Sequence, residues 1–426
     1  MRRALLDNWA LFLGMFLLMV ANGLLVTLLT IRGATLGFSD LEIALMQASY
    51  PLGALAGTIM TPRLIEKVGH IRSFSALASM VSVAAIAHLL TSDPVSWGAM
   101  RLLAGMCFPG LYVITESWLN AKSENRIRAQ VLSIYFITQT AGPALGTAMV
   151  ALPDPSGNLL FGLSSILLSV AIVPLLLSNN RAPDYTAPER MPVRRLYKVS
   201  PMAVLGIVIM GAGVVAWYIA LPLHALQNGF TQAQASFTVV VTMLVAAVVQ
   251  YPVGWISDKT DRRYVVIGLS GISVLAALWM AVDTTPLHIV IGFGIIGGAT
   301  LPVYSILAAH ANDQLSPGQV VPASGTMAFL LQLGQVFGML IGPNVVRLAD
   351  GRGLPLLVAA IGSVVVLVAL ARRALSAAPE DTGEVRPTGV IGVAQPGMLQ
   401  AEAYAEAERE SPAEDESGTD RDGGAG

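Results

Sequence analysis

Gly254-Trp-Ile-Ser-Asp-Lys-Thr-Asp-Arg-Arg263 lies between two apolar runs, residues 235–253 and 265–282. A glycine, acids and clustered bases between such runs read as a tight hairpin joining two membrane-spanning helices. The bases stay at the inner face, and the glycine allows close helix approach. Sliding back by 192 positions gives Pro62-Arg-Leu-Ile-Glu-Lys-Val-Gly-His-Ile-Arg72. Glu66 then falls on Asp258, Lys67 on Lys259 and His70 on Arg262. The same offset, without a gap, pairs Gly37-Phe38-Ser39 with Gly229-Phe230-Thr231. It also pairs Gly14 with Gly206, Gly105 with Gly297, Tyr112 with Tyr304, and Gly142 and Gly146 with Gly334 and Gly338. One constant shift over so long a stretch indicates a duplicated bundle, with parallel repeats about an axis along the membrane normal.

Composition agrees. Of 426 residues, 54% are hydrophobic and 12% charged, against about 25% charged in globular proteins. A soluble domain is excluded. Apolar stretches at 9–31, 42–61, 73–90, 95–119, 129–152 and 159–177 are followed by 202–223, 233–257, 264–282, 287–309, 321–346 and 354–371. Each is long enough to cross a hydrocarbon core of about 30 Å, at most with a small mismatch. The expectation is an all-α membrane protein of twelve transmembrane helices in two pseudo-symmetric six-helix halves, residues 1–178 and 201–373. Arg2 and Arg3 precede the first stretch as in a secretory signal. The stretch is too long for a signal core and its repeat partner lies mid-chain, so it is expected to be a retained helix.

Residues 179–200 form the expected inner linker, rich in Pro and bases, with 190–198 suited to a short helix on the membrane surface. Residues 374–426 form an acidic tail. From residue 376 it carries 12 acids against 3 bases, so the net charge of −2 leaves −2 − (−9) = +7 for residues 1–375. Such a composition is expected to be disordered. Counting Lys and Arg with the N-terminus inside puts eighteen in the inner segments and three outside. Both termini are therefore expected on the inner side. Cys107 is the single cysteine, which rules out an intrachain disulfide; no metal site or cofactor is expected.

Few polar residues within the spans invite a chemical role. Ser39-Asp-Leu-Glu42 and its partner Thr231-Gln-Ala-Gln234 have the form of capping boxes, so Glu42 is structural. Arg101 is the lone base deep within a span, and a buried guanidinium must find an anion, carbonyl groups or a carboxylate elsewhere in the bundle. Its repeat partner, Phe293, is uncharged. Substrate contact, structural pairing and outward snorkelling all fit. Glu116 lies near the inner end of the fourth span, opposite Ala308 in the repeat. Trp9, Trp97 and Trp118 stand near span ends as interface anchors, and His88 and His310 as solvated terminal histidines.

The hairpin resembles the signature of the major facilitator superfamily, G-x-x-x-D-[RK]-x-G-R-[RK]. Gly254, Asp258, Lys259, Arg262 and Arg263 match it, with Asp261 where the second Gly is usual. The first copy departs at Pro62, Glu66, His70 and Ile71. Thr115-Glu-Ser-Trp-Leu-Asn120 is similar to the YcaD-like bacterial branch. The resemblance implies the major facilitator fold and an ion-pair latch at the inner gate, for which Glu66, Lys67, Arg72, Glu116, Arg128, Asp258, Lys259 and Arg262 are the candidates. It also implies a central cavity lined by spans one, four, seven and ten and their neighbours. Arg101, Asn22, Tyr112, Gln139, Trp217, Tyr304 and Gln332 are the candidate solute-binding residues, within a wider pool that includes Tyr50, Tyr218 and Gln335. Glycines of Gly142-Pro-Ala-Leu-Gly146 and of its repeat are expected to pack between the halves, where rocking occurs.

These readings converge on a secondary active transporter in a bacterial inner membrane, working by alternating access on a small organic anion or polar metabolite. The expected partners are that solute, optionally coupled protons, and the lipid bilayer; no nucleic acid is expected, and the chain is expected to be a monomer. The alternatives are a proton-coupled multidrug effluxer and a transporter-fold sensor or scaffold. With no nucleophile–base or metal-ligand constellation in the spans, an enzyme is not expected.

Overall fold

The computed structural model describes residues 2–122, 125–152, 157–178, 191–283 and 285–375, which form helices and short connections with no strand among them. The first half contains α1 (Arg2–Thr35), α2 (Asp40–Val68), α3 (His70–Ala87), α4 (Pro94–Lys122) and α5 (Asn125–Met149). Its sixth crossing is α6 (Leu159–Val170) continued by α7 (Val173–Leu177). A linker helix, α8 (Val193–Val199), precedes the second half: α9 (Pro201–Gln227), α10 (Gln232–Lys259) and α11 (Arg262–Val282). There follow a tenth crossing made of α12 (Pro286–Thr300) and α13 (Val303–Asn312), then α14 (Pro317–Val345) and α15 (Gly353–Leu375). Eleven of the crossings are long and apolar enough to span a membrane among the described residues. The twelfth, α5, has 25 residues, about 37 Å at helical rise. The end bearing the two basic hairpins is termed inner, by the charge asymmetry.

The duplication is visible in local geometry. Ser39 and Thr231 each cap a helix with a complete capping box, and the preceding Gly37 and Gly229 have φ of 85° and 82°. The left-handed conformation at those turns carries little cost for glycine alone. At the inner hairpins the copies diverge. Gly69 turns with φ 82°, whereas Asp261 keeps φ −58° and caps α11 by accepting from the Arg263 amide. The tenth crossing breaks at Leu301-Pro302, where proline cannot donate to the helical ladder.

Within each half, glycines bring backbones into contact. A Cβ on Gly146 would overlap the Val20 carbonyl of α1, and one on Gly338 the Ala212 carbonyl of α9. Gly53 and Gly105 do the same between α2 and α4. The glycines of α5 and α14 thus bind α5 to α1 and α14 to α9 inside a half. This corrects the expectation that they pack between halves. Small residues serve wherever backbones meet, and here they rigidify each six-helix unit. The halves meet instead through α2 with α14, α5 with α10, and α1 with α9.

Two further expectations change. Trp97 and Trp118 are buried, Trp97 donating to the carbonyls of His88 and Thr91, and His88 and His310 are buried too. These rings fill the bundle, while Trp9 is 47% exposed as an anchor would be. The linker helix is docked rather than free. Leu196 is fully buried, the Met191 amide donates to the Pro322 carbonyl, and the Thr326 hydroxyl donates to the Met191 carbonyl. Residues 179–190 and the tail beyond 375 lie outside the described residues.

Candidate functional site

A cavity of about 150 Å³ lies between the halves. The first half lines it with Asn22, Gly23 and Val26 of α1, Tyr50 of α2, Arg101 and Tyr112 of α4, and Gln139 and Pro143 of α5. The second half contributes Val214, Val215, Tyr218 and Ile219 of α9, Met243 of α10, Leu301 at the helix break, and Gln332, Gln335 and Met339 of α14. Five expected residues, Arg101, Asn22, Tyr112, Gln139 and Gln332, share this cavity. Trp217 and Tyr304 do not line it. Trp217 packs against Phe293, and its neighbour Tyr218 takes the cavity position. Adjacent residues on a helix point about 100° apart, so only the bundle's rotation decides between them. Tyr50 and Gln335, which belonged to the wider pool, also line the site.

Arg101 carries the strongest electrostatic feature. It is 2% exposed, and its guanidinium lies over the Tyr50 ring, 4.4 Å from the centroid. No carboxylate pairs with it among the described residues, and its Nε and Nη2 have no hydrogen-bond partner. The outward snorkelling considered for this side chain does not occur. The cavity also holds unpartnered acceptors: Asn22 Oδ1, Gln139 Oε1 and Gln332 Oε1. Buried polar groups without partners are rare and costly in proteins. A fork of donors beside several amide oxygens is chemically matched to an anion that also carries N–H or O–H donors.

Toward the outer end the cavity wall becomes an apolar cluster, in which Ala48 packs with Val215, Ile219 and Met339, and Val26, Tyr218 and Leu340 surround them. Arg347 pairs with Asp40 at 2.8 Å, and the Gln232 side chain donates to the Val150 carbonyl. An apolar plug and polar links therefore join the halves on the outer side.

The inner hairpins hold the expected gating residues in two different ways. In the second half Arg262 bridges Asp258 at 3.3 Å and Asp313 at 2.7 Å. Lys259 lies over the Trp255 ring. Asp313, whose repeat partner is Ala121, is not conspicuous in the sequence because it follows the tenth apolar stretch, where charge is ordinary. In the first half Glu66, Lys67 and Arg72 are exposed and carry no ion pair among the described residues. They do not meet Glu116. That carboxyl is 2% exposed; its Oε1 accepts from the Tyr135 hydroxyl at 3.0 Å and its Oε2 has no partner. Among the described residues, then, Glu116 meets Tyr135 and not Lys67 or Arg72. The Arg128 side chain lies outside the described residues.

A sequence profile described as Major Facilitator Superfamily matches residues 11–339 and 204–399. The chain belongs to the major facilitator superfamily. It is 27% identical over 336 residues to an MFS-type transporter of Enterobacter sp. strain 638, covering 78% of this chain and 85% of that one. It is likewise 27% identical over 335 residues, with the same coverage, to the MFS-type transporter YcaD of Escherichia fergusonii. Among solved structures, the nucleoside transporter NupG superposes with a TM-score of 0.69 at 16% identity, covering 86% of this chain and 98% of NupG. The human organic anion transporter MFSD10 superposes at 0.59 with 14% identity, covering 85% and 98%. At those identities the likeness is one of fold. A superfamily member with these spans and bacterial relatives is a multi-pass inner-membrane protein.

Proposed function

We propose that this superfamily member is a secondary active transporter for a small organic anion bearing hydrogen-bond donors, such as a hydroxy- or amino-substituted carboxylate. The halves rock about the cavity, exposing it in turn to each side of the membrane, with both termini cytoplasmic. Arg101 takes the anionic group, Tyr50, Tyr112 and Tyr218 border the solute, and the amides of Asn22, Gln139 and Gln332 accept from its donors. The single observation that carries this reading is the buried Arg101 guanidinium, unpaired with any carboxylate among the described residues and facing a cavity. No acid lines that cavity, which argues against a multidrug effluxer selective for lipophilic cations. A membrane sensor would keep solute binding without flux in proteoliposomes.

The test is a thermal-shift screen of purified protein against organic anions, neutral analogues and cations, since a site ligand raises apparent stability with occupancy. Anions with donors are expected to stabilise the wild type. Arg101→Ala removes a charge-assisted hydrogen bond of about 1.5–3 kcal/mol, so binding falls roughly tenfold to over a hundredfold. Its melting temperature without ligand stays near the wild-type value. Arg101→Lys retains the charge, loses the planar fork and binds with intermediate affinity. Normal anion binding by Arg101→Ala overturns the proposal.

A further inference from the structure

The inner surface of the second half carries bases that its own acids do not meet. Arg194, Arg195 and Lys198 stand exposed on α8, and Arg372 and Arg373 occupy the last turn of α15. None of the five forms an ion pair among the described residues. The acids of the neighbouring hairpin are engaged elsewhere. Arg262 holds Asp258 and Asp313, and Arg263 holds Asp261.

These bases form one patch. Arg372 donates to the Tyr197 hydroxyl at 3.3 Å, which joins α15 to α8. The Arg373 guanidinium lies over the Tyr264 ring of α11, 4.6 Å from its centroid. A guanidinium on a ring face keeps its N–H edges available to carboxylates. The support beneath is fixed, since Leu196 is buried and Met191 is clasped to α14. Several unpaired bases on a fixed support create a local positive potential that attracts an anionic partner.

The chain that leaves this patch is acidic. Residues 402–416 carry seven acids against one base, and residues 376–401 connect them to α15. A random coil of that connecting length spans about 25–30 Å. The seven residues of α8 extend about 10 Å, so the acidic segment reaches the whole patch. Attachment at such range gives an effective concentration on the order of millimolar. One exposed ion pair contributes little, but several on a single tethered segment act together.

We propose that residues 402–416 dock on the basic patch formed by α8 and the last turn of α15. The occupant is a segment of the same chain, chosen by charge and by the point at which the tail departs. Docking ties the end of the chain to the linker helix and covers the patch against anionic lipid headgroups. It depends neither on the solute nor on Arg101.

The test uses the full chain in nanodiscs, with spin labels on Val193→Cys and Tyr404→Cys in a Cys107→Ala background. At low salt in phosphatidylcholine, the label-to-label distance distribution should be short and narrow. In about 1 M salt, where the screening length falls to about 3 Å, it should lengthen and broaden. Neutralising the tail with Glu414→Gln, Asp415→Asn and Glu416→Gln should lengthen it at low salt, as should Arg194→Gln with Arg195→Gln. Exchanging the signs, with Arg194→Glu and Arg195→Glu against Glu414→Lys, Asp415→Lys and Glu416→Lys, should restore the short distance. Should Val193→Cys disturb α8, a label on Ala374→Cys serves in its place. A distribution indifferent to salt and to tail neutralisation overturns the proposal. Adding phosphatidylglycerol separates the two possible occupants: a retained short distance supports the tail, and its loss assigns the patch to lipid headgroups and overturns the proposal.

Discussion

The two halves share a frame and distribute their charges in opposite ways. In the first half, charged side chains lie inside the bundle, Arg101 beside the cavity and Glu116 toward the inner end, while Glu66, Lys67 and Arg72 at the hairpin stand in solvent. In the second half the equivalents of Arg101 and Glu116 are Phe293 and Ala308. There the charges gather at the hairpin, where Arg262 joins Asp258 and Asp313. Duplication thus preserves what backbone packing demands, and the polar work is divided afterwards. One half carries a buried base beside the cavity and a buried carboxyl, and the other is fastened at its inner rim.

The largest expected effect tests the shared frame. Gly146→Ala in the first half and Gly338→Ala in the second each push a methyl group into a neighbouring carbonyl. Overpacking of this kind costs about 1–3 kcal/mol, read as a lowered melting temperature in detergent. Comparable losses would support a common frame; a large loss in one half alone would break it.

A smaller effect probes the asymmetric rim. Asp313→Asn removes the shorter of the two Arg262 bridges and should cost up to about 1 kcal/mol. Glu66→Gln, in the exposed hairpin of the other half, should stay within about 0.5 kcal/mol of wild type. Equal effects would show that the rims do not differ in the way their contacts indicate.

The pH dependence of that rim is smaller again. Burial raises the Asp261 carboxyl, but hydrogen bonds from the Arg263 side chain and amide outweigh it and hold the group below its ordinary value. A group lowered on folding contributes stability that is present above its unfolded value and lost as pH falls through the folded one. Asp261→Asn should therefore melt slightly below wild type at neutral pH, and the difference should shrink below about pH 4. A difference independent of pH would assign the effect to capping geometry alone.

The smallest effect concerns the seam between halves. Arg347 is 69% exposed, so its bridge to Asp40 is screened by solvent. Arg347→Ala should change stability by only a few tenths of a kcal/mol while modestly raising, at fixed pH, the maleimide labelling of Ala48→Cys in a Cys107→Ala background. Unchanged labelling would leave closure to the apolar plug.

The fold was legible in the sequence because its determinants are local or repetitive. The 192-residue offset, the glycine turns and both capping boxes act within a few residues of themselves. Arg101 was legible for a similar reason: a base in an apolar span is conspicuous wherever it points. The cavity was less so. Choosing Trp217 over Tyr218 required the rotation of α9, which is set by packing with distant helices. Glu116 was singled out, yet its partner is Tyr135 of the next helix rather than a base in an adjacent loop. Proximity along the chain favoured the loops, while the distance that matters runs across the bundle. Asp313 was hidden by its place just beyond the tenth apolar stretch, where a charged residue is ordinary and attracts no notice.

The clasp between Met191 and α14 places the boundary of the second half earlier than the start of α9. The join between the halves is then the chain from Ser178 to Met191, thirteen peptide units with a maximum reach of roughly 45 Å. A gene split within that stretch would yield two polypeptides, the second bearing its own inner-surface helix as a leading handle already fastened to its core. Their reunion would depend on the α2–α14, α5–α10 and α1–α9 contacts and the outer polar links, so such a fission product would measure the affinity of one half for the other.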